Sequence, residues 1–337
     1  MSATTSTSQA RVAVVARSFV RNAALRDELR EQYPDAVFAE SPGILDGEEL
    51  IAFLRGHERA IIGLERVDDR VLEALPELKV ISKYGVGLDG VDVAALARRG
   101  VRLGWSGGVN RRSVAELTLG FAIALVHRVP ETSAALREGR WDKLVGQHLS
   151  GRTVGIIGCG FVGKELVTLL APFGCRVLAH DIRDYADFYR AHDVTALPLA
   201  DLLRQSEIVT LHVPLDRSTM GMIDVAALAL MPKQSFLINA ARGGLVDEDA
   251  LADALERGHL AGAAFDVFAV EPDANPRLLK LPTFLGTPHI GASAREAQLA
   301  MGRAAIAGLE TARVPDAAWP PIEYSHRLKY SHRLNAD

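Results

Sequence analysis

Three residues in the C-terminal half have side chains that could do chemistry together: Arg242, Glu271 and His289. Each follows a short apolar run that reads as a buried strand: Ser235 to Asn239, Gly262 to Phe265, and Phe284 to Gly286. A histidine can give up or take a proton near neutral pH. A carboxylate on its far nitrogen fixes the tautomer and favours the protonated ring. An arginine can polarise a carbonyl and pair with a carboxylate through its planar fork. Such a set suits hydride reduction of a carbonyl, where the oxygen becomes an alkoxide and must take a proton. Taken singly, Arg242 also reads as a phosphate contact, Glu271 as a surface charge and His289 as a core histidine. Their common setting at strand ends of one dinucleotide pattern favours the chemical reading.

That pattern runs through Val154-Gly155-Ile156-Ile157-Gly158-Cys159-Gly160-Phe161-Val162-Gly163-Lys164. Its apolar start reads as a buried parallel strand. Gly158 allows a tight turn, Gly160 lets a pyrophosphate approach the backbone, and Gly163 lets the next helix pack on the strand. The helix N-terminus offers unpaired N–H groups to phosphates. Phe161 and Val162 fall in that first turn. A G-x-G-x-x-G turn alone also fits any α/β protein. A second apolar run, Arg176 to His180, leads to Asp181, at the distance expected for the acid on the adenosine ribose. Asp181 predicts NAD rather than NADP, because a carboxylate accepts ribose hydroxyls and repels a 2′-phosphate. Arg183 works in the opposite sense.

The elements that must position these residues follow a βα rhythm. The 337 residues, 48% of them apolar, predict two domains with their own cores. In the first half, Arg11 to Ala16, Ala36 to Ala39, Ala60 to Leu64 and Leu78 to Ser82 read as strands. Asp46 with Glu49, and Asp68, read as helix starts. The fourth strand ends at Lys83-Tyr84-Gly85-Val86-Gly87-Leu88-Asp89, whose exposed N–H groups suit a carboxylate, or form an ordinary turn. Gly107 to Asn110 reads as a hinge before an apolar helix from Val114 to about His127, buried in its domain or against another subunit. A strand from Ile208 leads to His212, Asp247 caps a helix through Leu255, and a last helix runs from Ala294 to Glu310.

The formal net charge of −4 argues against nucleic acid. The only cysteines, Cys159 and Cys175, fit a reducing compartment, and no metal site is expected. The first ten residues lack a signal-peptide core and no stretch reaches membrane-spanning length, so a soluble, cytoplasmic protein is expected. Tyr-Ser-His-Arg-Leu occurs twice in the tail, at 324–328 and 330–334, and reads as a solvated tail or a subunit arm.

Several motifs together carry a family resemblance. They are Gly85-Val86-Gly87-Leu88-Asp89-Gly90-Val91-Asp92, Ser113-Val114-Ala115-Glu116-Leu117, Gly158 to Gly163, His212-Val213-Pro214-Leu215, Asn239 to Glu248, Asp266-Val267-Phe268 with Glu271-Pro272, and Thr287 to Ala292. The chain resembles the D-isomer-specific 2-hydroxyacid dehydrogenases, most of all the phosphoglycerate dehydrogenase branch. The resemblance implies an α/β fold: a Rossmann-type doubly wound parallel sheet, residues 107–292, inserted into a smaller flavodoxin-like domain made of 1–106 and 293–337. It implies that Arg242 binds substrate, Glu271 orients His289, and His289 is the acid/base. It implies further NAD contacts at His212, Val213, Pro214, Thr219, Ala240, Ala241, Asp266 and Gly291. Substrate contacts are implied at Lys83, Tyr84, Gly85, Val86 and Gly87, with Arg242 and His289. It also implies a homodimer through the cofactor domain. In phosphoglycerate dehydrogenases an arginine that meets the substrate phosphate commonly stands where this chain has Lys83, which keeps the charge but loses the fork. The C-terminal regulatory domain of longer relatives is not expected in 337 residues. The resemblance predicts NAD-dependent reduction of a 2-keto acid bearing a second anion, a phosphate or a phosphonate. The alternative class is an NAD(H)-sensing, corepressor-like protein.

Overall fold

The computed structural model describes residues 10–316. The paired Tyr-Ser-His-Arg-Leu segments lie outside the described residues. Among the described residues the chain divides into two compact units, one of residues 10–110 and 294–316, the other of Arg111–Ser293.

The first unit is built on five strands: β1 (Val12–Val14), β2 (Val37–Phe38), β3 (Arg59–Ile62), β4 (Val80–Lys83) and β5 (Arg102–Gly104). All pair in parallel in the order β2-β1-β3-β4-β5. This is the flavodoxin-like order. The central strands are buried on both faces, which fits their near-continuous apolar runs. Turn chemistry sets the helix starts. Asp68 accepts from Val71 N–H and Asp92 from Ala95 N–H. Asp46 caps the helix Gly47–Leu54 through the Gly47 N–H. The closing helix, Arg295–Thr311, packs on β3, β4 and β5. Gly308 lies so close to Gly104 that a Cβ on Gly104 would meet the Gly308 carbonyl oxygen at 2.3 Å.

The second unit has seven strands: β6 (Thr153–Ile157), β7 (Arg176–His180), β8 (Val194–Ala196), β9 (Ile208–Leu211), β10 (Phe236–Asn239), β11 (Gly262–Phe265) and β12 (Phe284–Gly286). All are parallel, in the order β12-β11-β10-β9-β6-β7-β8. Read from β6, strands run outward to β8 on one side and to β12 on the other. That is the doubly wound Rossmann order, with its switch point between β6 and β9. Open α/β sheets bind ligands at such a point, beyond the strands' carboxyl ends. The expected α/β architecture is therefore the one observed.

The helix expected from Val114 begins at Arg111 and ends at Val126. Its buried residues, Val114, Ala115, Thr118, Phe121, Ala122, Leu125 and Val126, form one heptad-like stripe. That stripe is covered inside the second unit, while Ile123 faces outward. Among the described residues no single helix is long and apolar enough to cross a membrane.

Candidate active site

The glycine turn after β6 has the geometry its spacing predicts. Gly158 has φ +93°, and a Cβ there would meet the main chain of His212 and Val213 at 2.7–2.8 Å. A Cβ on Gly163 would strike the Gly158 carbonyl at 2.4 Å, so the helix Phe161–Leu170 sits directly on the turn. A Cβ on Gly160 would meet nothing within 4 Å. Two glycines are thus needed for packing, and the middle one faces open space. No side chain caps the Phe161–Leu170 helix, so its first N–H groups lack a side-chain acceptor. Phe161 is exposed beside it, and Val162 is half-buried.

Asp181 follows β7 and ties the turn together. Its carboxylate accepts from Cys159 N–H at 2.7 Å and from Arg183 N–H at 2.9 Å. The open face over Gly160, the uncapped helix and this carboxylate fit a dinucleotide. The residues that would hold it are Gly160, Phe161 and Val162 at the pyrophosphate and Asp181 at the ribose. The lip of β9 adds His212, Val213 and Pro214. His212 Nε2 lies 3.0 Å from Thr210 Oγ1, and burial pushes its pKa down to about 3, so the ring is neutral. Thr219 Oγ1 donates to Pro214 O and accepts from Asp216 N–H, which cinches the loop after the strand.

The Arg242–Glu271–His289 set lies at the ends of β10, β11 and β12. Buried Asn239 shapes the first loop: its amide donates to Arg242 O at 2.8 Å, and its carbonyl accepts from Ala241 N–H. Ala240 and Ala241 make the bend, and the Arg242 guanidinium donates to Ala241 O. Gly243 then presses on the next loop, where a Cβ would lie 1.8 Å from Phe268 O. Any side chain at 243 would push the Arg242 loop from the Glu271 loop.

His289 Nδ1 lies 2.9 Å from Glu271 Oε2, and the other Glu271 oxygen accepts from Phe268 N–H. The ionised carboxylate can only accept, so Nδ1 carries the proton. The hydrogen bond and charge of Glu271 raise the His289 pKa above its ordinary value, against burial and the Arg242 charge. For Glu271, burial pushes the pKa up, but the His289 bond and the charges of His289 and Arg242 bring it below the ordinary carboxylate value. Both side chains remain about half-exposed.

Asp266 organises the turn that carries His289. Its main-chain oxygen accepts from His289 N–H at 2.8 Å. Its carboxylate accepts from Thr287 hydroxyl and Ile290 N–H on one oxygen and from Gly291 N–H on the other. His289 itself has φ +53°, a left-handed conformation costly for a residue with a Cβ. These bonds hold it there. The resemblance places Asp266 near the nicotinamide amide and counts Gly291 among the cofactor contacts. The geometry adds a scaffolding part, visible only once residues 287–291 are seen to wrap around the carboxylate.

In the first unit, the loop after β4 presents half-buried Gly85, Val86 and Gly87. Gly85 has φ +103°, and Trp105 Nε1 donates to Val86 O. Lys83 is buried, and its ammonium donates to Gly63 O at 2.6 Å and Tyr84 O at 3.1 Å. The buried Glu65 carboxylate takes the Gly63 N–H. Lys83 thus braces two loops, a role that sequence alone does not reveal because one partner, Gly63, lies just past the neighbouring strand. Tyr84, expected at the substrate, is instead packed edge-on against Phe19 in the core. Tyr84 lies just past β4 with its ring turned inward, and its buried hydroxyl has no hydrogen-bond partner among the described residues.

Residues 119–291 match the model of the D-isomer specific 2-hydroxyacid dehydrogenase, NAD binding domain. The dinucleotide of the second unit is therefore NAD. D-3-phosphoglycerate dehydrogenase of Sus scrofa is 36% identical over 261 residues, covering 77% of this chain and 49% of that protein. The enzyme of the same name from Mycobacterium bovis is 38% identical over 307 residues, covering 88% and 56%. The chain thus spans about half the length of the curated relatives it matches. The crystal structure of TT0316 protein from Thermus thermophilus superposes with TM-score 0.79 at 33% identity, covering 91% of this chain and 99% of that one. With its glycine turn, the Asp181 carboxylate beside it and the Glu271–His289 pair set on this sheet, the chain belongs to the D-isomer specific 2-hydroxyacid dehydrogenase family.

Proposed function

We propose that the protein is an NAD-dependent D-2-hydroxyacid dehydrogenase that reduces a small 2-keto acid reversibly. The observation that carries this reading is the 2.9 Å bond from Glu271 to His289 Nδ1, in the unit that binds NAD. When bound, the reduced nicotinamide supplies the hydride. His289 gives its Nε2 proton to the carbonyl oxygen as charge builds there. Glu271 keeps that proton available by stabilising the charged ring. Arg242 polarises the carbonyl and holds the carboxylate side of the substrate. In the first unit, Val86 and Gly87 are read as offering main-chain N–H groups to a carboxylate. The enzyme is read as a homodimer in the cytoplasm.

The test is NADH oxidation with a panel of 2-keto acids. Turnover on one or more acids supports an enzyme. Tight NADH binding without turnover on any acid favours the sensing, corepressor-like alternative.

In reduction, His289 must start protonated, so activity falls as pH rises through its pKa. Glu271 raises that pKa. Glu271→Gln is therefore expected to move the falling limb of the kcat profile to lower pH. An unmoved limb, with the chemical step limiting the rate, counts against the pairing.

We further read the substrate as carrying a second anion, with 3-phosphohydroxypyruvate the first candidate and phosphonopyruvate the second. Lys83 enters through its charge, since two of its three N–H groups go to main-chain carbonyls. A charge-assisted contact is worth roughly 1.5–3 kcal/mol, about tenfold or more in kcat/KM. Lys83→Met is expected to lower kcat/KM for the charged acids by that factor and to spare pyruvate and glyoxylate. Equal losses for charged and neutral acids would instead assign Lys83 to bracing the loop alone.

A further inference from the structure

We infer that Glu248 is a positioning residue for the proton-transfer pair, holding the loop that carries Glu271 in the place where it can orient His289. The inference rests on the proposed function of that pair and names a group outside it. Glu248 is the first residue of the helix Glu248–Glu256, whose start is set by Asp247 accepting from Asp249 and Ala250 N–H groups. Its Oε1 accepts from Ala269 N–H at 2.7 Å. One residue earlier, Phe268 N–H donates to Glu271 itself. Two successive N–H groups of the loop are thus taken by two carboxylates. On its other side the loop is pinned by Gly243, against Phe268 O. Loss of Glu248 would leave the Ala269 N–H without this partner and free the loop on one side.

The strap also carries charge. Burial raises the Glu248 pKa, and Asp249 and Glu271 raise it further, while the Ala269 N–H lowers it. The charged groups facing Glu271 are therefore His289, Arg242 and Glu248. Those facing His289 are Glu271, Arg242 and Asp266. A loop that drifts takes Glu271 from His289 and lowers the pKa of the ring. Misplacement of a catalytic pair by about 1 Å costs up to roughly a hundredfold in rate.

The test compares Glu248→Ala, Glu248→Gln and His289→Ala in the full chain, with NADH and the best 2-keto acid of the panel. Glu248→Ala is expected to lower kcat roughly tenfold to a hundredfold. It should leave KM for NADH within about twofold and move the falling pH limb to lower pH, since only the loop is released. Glu248→Gln keeps an acceptor for Ala269 and is expected to restore most of the rate and the wild-type limb. Should the alanine variant fail to fold, Glu248→Ser, too short for the same contact, takes its place. Wild-type kcat and pH profile in Glu248→Ala, or a glutamine variant as impaired as the alanine one, overturns the inference while His289→Ala remains inactive. An active His289→Ala enzyme overturns the proposed function, and the inference with it.

Discussion

His289→Ala is expected to lower kcat for 2-keto acid reduction by roughly 10²–10⁴-fold, the range of general acid–base catalysis. The ring is built for this task. Its Nδ1 proton is held by Glu271 and its backbone by Asp266, which leaves Nε2 as the nitrogen that can donate. Alanine removes the donor but keeps the Cβ already accommodated at φ +53°. The Asp266 bonds to Ile290 and Gly291 N–H do not involve the ring. Folding and NADH affinity should therefore persist. Stopped-flow measurement of the hydride step, with NADH binding followed by fluorescence, separates the two. A variant that binds NADH normally and turns over within about threefold of wild type would remove His289 from the mechanism.

Arg242→Gln is expected to cost roughly 10²–10³-fold in kcat/KM, as for loss of a preorganised donor to developing charge. The main chain of its loop is shaped by Asn239, so the side chain can be changed without moving the bend. Arg242→Lys should recover only part of the loss, because charge returns without the fork. A second readout has a definite sign. The Arg242 charge lowers the His289 pKa. Its removal should raise that pKa and carry the falling limb of the profile to higher pH, opposite to Glu271→Gln. Limbs that move the same way in both variants would contradict the assigned field.

The parts of this fold legible in the sequence are those set by local pattern. The strands Gly262–Phe265 and Phe284–Gly286 have the bounds their apolar runs predict. The glycine turn could be read because Gly158 and Gly163 each answer a local steric demand. What escaped depends on contacts between segments distant in sequence. The partners of Lys83 come from residue 63 as well as its own neighbour, so a charge read as a ligand for substrate is also a brace. Tyr84 could not be turned inward without knowing that Phe19 lies beside it. Glu248 was visible only as an acid in a helix's first turn, where an acid is ordinary. Its bond to Ala269 spans 21 residues. Helix Val129–Arg137 was missed, and it starts from Arg128 in a left-handed conformation that no local signal announces. The hinge read at Gly107 to Asn110 coincides with the change of unit at Asn110–Arg111, where glycines and a polar run interrupt the βα rhythm.

The most direct measurement of the central claim follows the hydride itself. The wild-type chain is mixed with NADH deuterated at the transferring position and the best 2-keto acid of the panel. The product is then analysed for chirality and for isotope at C2. The expected product is a D-2-hydroxy acid with one deuterium at C2, formed in step with the loss of NADH absorbance, and formed roughly a hundredfold or more slower by His289→Ala. An L or racemic acid, a product without deuterium, or an equal rate from the His289→Ala variant would contradict the central claim.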